Sequence, residues 1–273
     1  MFRATTDNTM LFKNLVGVVS SLVGEANLYC TKEGLCMQGM DASNVSMVSF
    51  SIPSTWFDEY CCTQDTVLGV SFATLEKLFK CAEKTDTTVL ETKTPHEKLF
   101  VAFQSRNRIT DFEVSVLDLD AELFEIPDTD YACSVSLATQ TFKDLVAHLH
   151  AAGDECSVCI AKTEVRFKAS GALGNLNLAL KDNSTKPGVD ANKMIRINVC
   201  PSFDQDFAHL GGAELEQHFL SSKLFCFSKS SFPNMTLKMS PDTPLVVEYP
   251  LGDAVKGYLR FYLAPNIGVV QSK

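Results

Sequence analysis

"FKNLV", residues 12–16, returns as "FKDLV", residues 142–146, with four of five residues unchanged after 130 positions. In both copies Phe, Leu and Val sit three and four residues apart, the spacing that anchors one side of a helix to a core. A shift of 130 carries residues 12–41 onto 142–171 without a gap and also superposes Lys32 on Lys162. In each half the helical pattern is followed by a turn and then by alternating, strand-like segments.

The halves match again further along. "KLF" at residues 77–79 recurs at 223–225, "LFVAF" at 99–103 parallels "LVVEY" at 245–249, and "FEVSVL" at 112–117 parallels "YLRFYL" at 258–263. The offset has grown to 146 at the second helix, so the second half is expected to carry an insertion around 200–218. There "CPSFDQDFAHLGGAELEQHF" reads as a loop or short extra element. The reading is an α+β fold: two similar domains, residues 1–117 and 132–273, each with two helices and many short antiparallel strands. The acidic, Pro127-containing residues 118–131 form an extended connector. A chain of 273 residues suits two cores better than one. Within the connector Phe124 and Ile126 are too apolar for a solvated linker, and they either pack back or form a docking surface.

Composition narrows the function. With 45% hydrophobic and 21% charged residues the chain has the makings of a globular protein, and no stretch approaches a membrane span. The first residues lack the apolar core of a signal peptide, so an intracellular location is expected and the ten cysteines read as small buried hydrophobes. A net charge of −9 argues against a surface that is basic all over, but not against a focused basic face. At 100° per residue Lys13 falls about 200° from Leu11 and Leu15, away from a stripe of Leu11, Leu15, Val18, Val19 and Leu22. Lys143 takes the same place in the partner helix, with Ala147 and His150 on its face. Lys77 and Lys80 flank the stripe of Phe72, Leu75 and Phe79, and Lys223 and Lys229 serve the fourth helix. Lysines recurring on four helices could track phosphates without reading bases.

At this point the chain resembles the sliding clamps of the proliferating cell nuclear antigen family. The resemblance is carried over nearly the whole length by "MQGMDASNVSMV", "KLFKCA", "LDLD" followed by "IP", "FKASGALGN", "PLVVEY" and "YLRFYLAP". It implies a closed ring of three identical chains encircling duplex DNA, a nuclear processivity factor for DNA polymerase that also docks the clamp loader and other replication and repair proteins. A lining of roughly 20 Å radius has a circumference of about 120 Å, which helices about 10 Å apart pave with about twelve, four from each chain.

The resemblance assigns Lys13, Lys77, Lys80, Arg108 and Lys229 to the DNA-facing channel, joined by Lys143 and Lys223 from the helical pattern. Asp144 and Ala147 stand where the family favours positive charge. It assigns the pocket for partner peptides, the PIP-box site, to Met40, Asn44, Val45, Phe124, Ile126, Pro127, Pro244, Tyr262, Leu263, Ala264 and Pro265. It assigns ring closure to pairing of the edge strands at 108–116 and 173–181, and modification by ubiquitin to Lys162. Phe124 is bulkier than the family's usual residue, and the tail lacks the customary acidic end.

No cofactor is expected. A thiol or metal enzyme built on Cys156, Cys159, His148 and His150 is the rival from another class, but the two histidines are two apart on a helix and point to different faces. A subunit of a checkpoint-type heterotrimeric clamp would share the fold.

Overall fold

The computed structural model describes residues 1–93, 98–120, 123–126, 129–190, 193–200, 214–252 and 257–266. The chain divides into two compact units, residues 1–126 with 250–260, and residues 127–249 with 261–273.

The first unit runs β1 (Phe2–Thr6), α1 (Thr9–Ser20), β2 (Glu25–Cys30), β3 (Gly34–Met40), β4 (Ser46–Pro53), β5 (Glu59–Cys62), β6 (Thr66–Ser71), α2 (Phe72–Phe79), β7 (Thr87–Thr92), β8 (Lys98–Gln104) and β9 (Ile109–Ser115). One antiparallel sheet has the order β5-β1-β7-β8-β9, and in another the strands of this unit lie in the order β4-β3-β2-β6. The helix pair supplies Phe12, Leu15, Val16, Phe72, Leu75 and Phe79 to a core that Leu28 and Phe50 enter from one sheet and Leu90 and Leu99 from the other. Phe79 links the helices to the second sheet through ring contacts, its centroid 5.5 Å from that of Phe12 and 5.1 Å from that of Phe103. Ser71 caps α2 by accepting the Thr74 amide (3.3 Å).

The second unit repeats this plan with β10 (Cys133–Ala138), α3 (Thr139–Ala152), β11 (Glu155–Ile160), β12 (Glu164–Gly171), β13 (Gly174–Lys181), β14 (Arg196–Val199), β15 (Leu215–Leu220), α4 (Ser221–Phe227), β16 (Asn234–Met239) and β17 (Leu245–Pro250); β18 is Tyr258–Leu263. Its sheets read β13-β12-β11-β15 and β14-β10-β16-β17. Phe142, Leu145, Val146 and Leu149 of α3 are buried with Val158, Phe167 and Phe219 of the first of these. Phe227 stacks on Phe261 at 4.7 Å while its carbonyl accepts the buried Tyr249 hydroxyl (2.9 Å).

The offset of 130 holds through α1 and α3, β2 and β11, and β3 and β12, whose first residues are Thr9 and Thr139, Glu25 and Glu155, Gly34 and Glu164. Three expectations need correction. The stripe of α1 is centred on Phe12, Leu15, Val16, Val18 and Val19, with Leu11 and Leu22 only half-buried. The "KLF" repeat is out of helical phase, because Phe79 is buried whereas Phe225 is exposed and Leu224 takes the inward place. By their first residues, Phe72 and Ser221, α2 and α4 are offset by 149. Finally, residues 215–219, read with the preceding segment as a loop or short extra element, belong to β15, which pairs with β11 as β6 pairs with β2. Residues 201–213 of that segment lie outside the described residues.

Candidate functional site

The helix cations of the first unit are not equally available. Lys13 is half-buried, and its Nζ donates to the carbonyl of Ala82 (3.0 Å), just past the C-terminus of α2 where the helix dipole favours a cation. Lys13 therefore ties one helix to the other, where the wheel alone turns it outward. Lys80 lies 3.6 Å from Glu76, which also accepts the Ser20 hydroxyl (2.9 Å). Arg108 binds Glu83 (2.6 Å) and Asp86 (2.7 Å), the latter with a wholly buried side chain. Partial desolvation works against the charge of Arg108, but these two carboxylates outweigh it and hold its proton more firmly than in free arginine. Lys77 is exposed and makes no ion pair among the described residues.

In the second unit Lys143 is half-buried, and the neighbouring Asp144 is held by Gln140 (2.8 Å), one turn earlier on α3. His150 stacks on Phe225 of α4 at 4.9 Å, and its Nδ1 lies 3.4 Å from Ser221 Oγ. Since the Ser221 hydroxyl donates to Gly153 O (2.6 Å), it can only accept from His150, which places the imidazole proton on Nδ1. No periodicity in either segment announces this aromatic pair on the helix face. Lys229 is exposed, Lys223 half-buried.

The peptide-pocket residues of the first unit gather near the β3–β4 turn and the connector. Asp41 is buried and organises the turn: its carboxylate accepts the amides of Ser43, Val45 and Ser46, which leaves Asn44 exposed in the left-handed region (φ 54°). Met40 and Val45 are half-buried, as is Ile126, while Leu123 and Phe124 of the connector are exposed. Of the positions in the second unit, Pro244 and Ala264 are exposed, Pro265 is half-buried and Tyr262 is 9% exposed. Leu263 is fully buried, so that position presents backbone rather than side chain. Pro127 lies outside the described residues.

The two segments expected at the ring junction end their sheets: β9 at one end of the first unit's five strands, β13 at one end of the β13-β12-β11-β15 sheet. On β13 the half-buried positions alternate at Leu176, Leu178 and Leu180. Lys162 is exposed in the β11–β12 hairpin, closed by the Ala161 amide on Glu164 O (2.9 Å), just as the Thr31 amide meets Gly34 O (2.9 Å) around Lys32. Cys156 and Cys159, three apart on β11, face opposite sides of the sheet and cannot act as one chelating pair. Burial pushes the Cys156 thiol up to about 12.

Comparison with known proteins identifies the family. The family model described as "Proliferating cell nuclear antigen, N-terminal domain" matches residues 1–123, and its C-terminal counterpart matches 125–266. The proliferating cell nuclear antigen of Chaetomium thermophilum is 30% identical over 274 aligned residues, covering 98% of this chain and 99% of that protein. With two lysine-bearing helix pairs, two antiparallel units and both family models accounting for nearly its whole length, the chain belongs to the proliferating cell nuclear antigen family, the DNA sliding clamps.

Proposed function

We propose that three copies of this chain close head to tail into a ring around duplex DNA, β9 of one copy pairing with β13 of the next. One observation carries the reading: the two most exposed large hydrophobics among the described residues are Leu173 (81%), in the β12–β13 turn, and Ile109 (68%), the first residue of β9. Open strand edges that carry bare apolar side chains are hazards unless paired, and mutual pairing removes both at once.

The helices line the channel with Lys13, Lys77, Lys80, Arg108, Lys143, Lys223 and Lys229. These cations hold phosphates without base contacts, so the ring slides. Lys77, Lys143 and Lys229 carry most of this attraction, because Lys13, Lys80 and Arg108 are engaged within the protein. DNA polymerase, the clamp loader and other proteins with PIP-box peptides dock at the pocket that includes Phe124 and Ile126. The protein acts in the nucleus as a topological tether with no chemistry of its own, and exposed Lys162 is a site for ubiquitin attachment. A place in a checkpoint-type heterotrimer is not favoured, since both family models and the fungal relative are proliferating cell nuclear antigens.

Light scattering at micromolar concentration tests the ring. A mass three times the 30.0 kDa chain is expected, and a stable monomer overturns the homotrimer.

A further inference from the structure

The connector enters the first unit's outer surface along a line that the strand register makes plain. Asn27 of β2 stands opposite Gly69 of β6. Leu28 pairs with Met37, so one step along the same ladder brings Asn27 opposite Gln38 of β3, which is itself opposite Ser49 of β4. Gly69, Asn27 and Gln38 thus form a row across three adjacent strands. Their chain neighbours Leu28, Met37, Leu68 and Val70 are buried in the core beneath the helices, so the row faces the opposite side of the sheet.

Each member of the row holds the connector. The Leu117 amide donates to Gly69 O (2.8 Å), and a Cβ at position 69 would stand 2.2 Å from Leu117 O, so only glycine lets the chain pass. Asn27 Nδ2 donates to Leu119 O (3.2 Å), and the Phe124 amide donates to Gln38 Oε1 (2.8 Å). The third contact differs from the others in what it carries. Beyond it sit Leu123 and Phe124, 45% and 53% exposed, adjacent apolar side chains on a segment with no strand or helix of its own. Among the described residues, the Gln38 side chain is the acceptor that holds the backbone from which they project.

We propose that Gln38 is a positioning residue for partner peptides: by accepting the Phe124 amide it holds the Leu123–Phe124 pair in its receptive place, so that peptide affinity depends on this hydrogen bond. The inference rests on the partner-peptide reading above. Without the latch, the ordering of this segment is left to the moment of binding and weakens it. A hydrogen bond of ordinary net strength corresponds to about a 5-fold loss of affinity.

The test compares Gln38→Met, which keeps the length but removes the acceptor, with Gln38→Glu, which restores one. Binding of a fluorescein-labelled synthetic peptide with aliphatic and aromatic anchors one helical turn apart is read by anisotropy. Hydrogen exchange of the Phe124 amide is read by NMR, and oligomeric mass is checked alongside. The expected result is about 5-fold weaker binding and about 5-fold faster exchange in Gln38→Met, both recovered in Gln38→Glu, with mass unchanged in each. Gln38→Met that binds as tightly as the original protein, or leaves Phe124 exchange unaltered, overturns the role of Gln38 alone. Absence of peptide binding in the unaltered protein overturns the pocket reading and this inference with it.

Discussion

Arg108→Ala separates a cation offered to DNA from one consumed by the protein. The Asp86 side chain has no exposed surface; its Oδ2 receives Arg108 (2.7 Å) and the Glu83 amide (2.8 Å), while Oδ1 has no hydrogen-bond partner among the described residues. Removing the guanidinium strands a buried carboxylate with one donor. Breaking a fully buried ion pair costs about 3–5 kcal/mol, whereas an exposed pair is worth about 0–1 kcal/mol. Arg108 is 37% exposed on its side chain, so water replaces part of what is removed, and the cost falls short of that for a fully buried pair. For a unit of this size that still lowers the melting temperature by several degrees. Scanning calorimetry measures it, and the salt dependence of DNA affinity is recorded on the same protein. Adding Asp86→Asn to Arg108→Ala removes the stranded charge and should recover about half of the stability. A melting temperature within a degree or two of the original, together with a shallower salt slope, would refute the reasoning and return Arg108 to the DNA.

Lys77→Ala with Lys229→Ala should weaken polymerase stimulation on DNA more than Lys13→Ala with Lys80→Ala, with a salt slope reduced by about one for each phosphate no longer neutralised; equal effects would contradict the ranking. Ile126→Asp should abolish peptide binding measured by anisotropy while the mass by light scattering stays that of the ring, because a charge enters the pocket and not the junction. Asp182 accepts the amides of Ile197 and Ser184 (both 2.8 Å), and these bonds hold its carboxyl below the usual carboxylate range. A depressed folded pKa contributes stability above the unfolded value of about 3.9 that is lost as pH falls through the lower folded value, so protection of the Ile197 amide against exchange should decline only below about pH 4. Decline already at pH 6 would point to another group.

What the sequence revealed and concealed follows from the range of each interaction. Phe12, Leu15 and Val16 mark their helix because packing imposes a period within one element, and the same period repeated at Phe142, Leu145 and Val146 exposes the duplication. Leu176, Leu178 and Leu180 show their strand for the same reason. β15 was hidden because its inward row is Leu215, Gln217 and Phe219, and a polar residue in the middle breaks the apolar alternation. Gln217 is held there by Nε2, which donates to Ser240 O (3.0 Å) and Thr243 O (3.4 Å), acceptors more than twenty residues away, while its buried Oε1 has no hydrogen-bond partner among the described residues. The tether of Lys13 could not be read from a wheel, which holds no knowledge of the carbonyl at Ala82, 69 residues on. The connector latch was equally invisible, because Gln38 and Phe124 are 86 residues apart and outward polar side chains on strands look alike until something lies across them.

The bare side chains of Ile109 and Leu173 mean that a single copy of this chain ends two of its sheets unfinished. On the ring reading, folding and assembly then obey one mass-action law: every subunit borrows an edge from its neighbour, and dilution withdraws the loan. The melting temperature should accordingly climb with protein concentration, as for any fold whose last strands are supplied by another molecule.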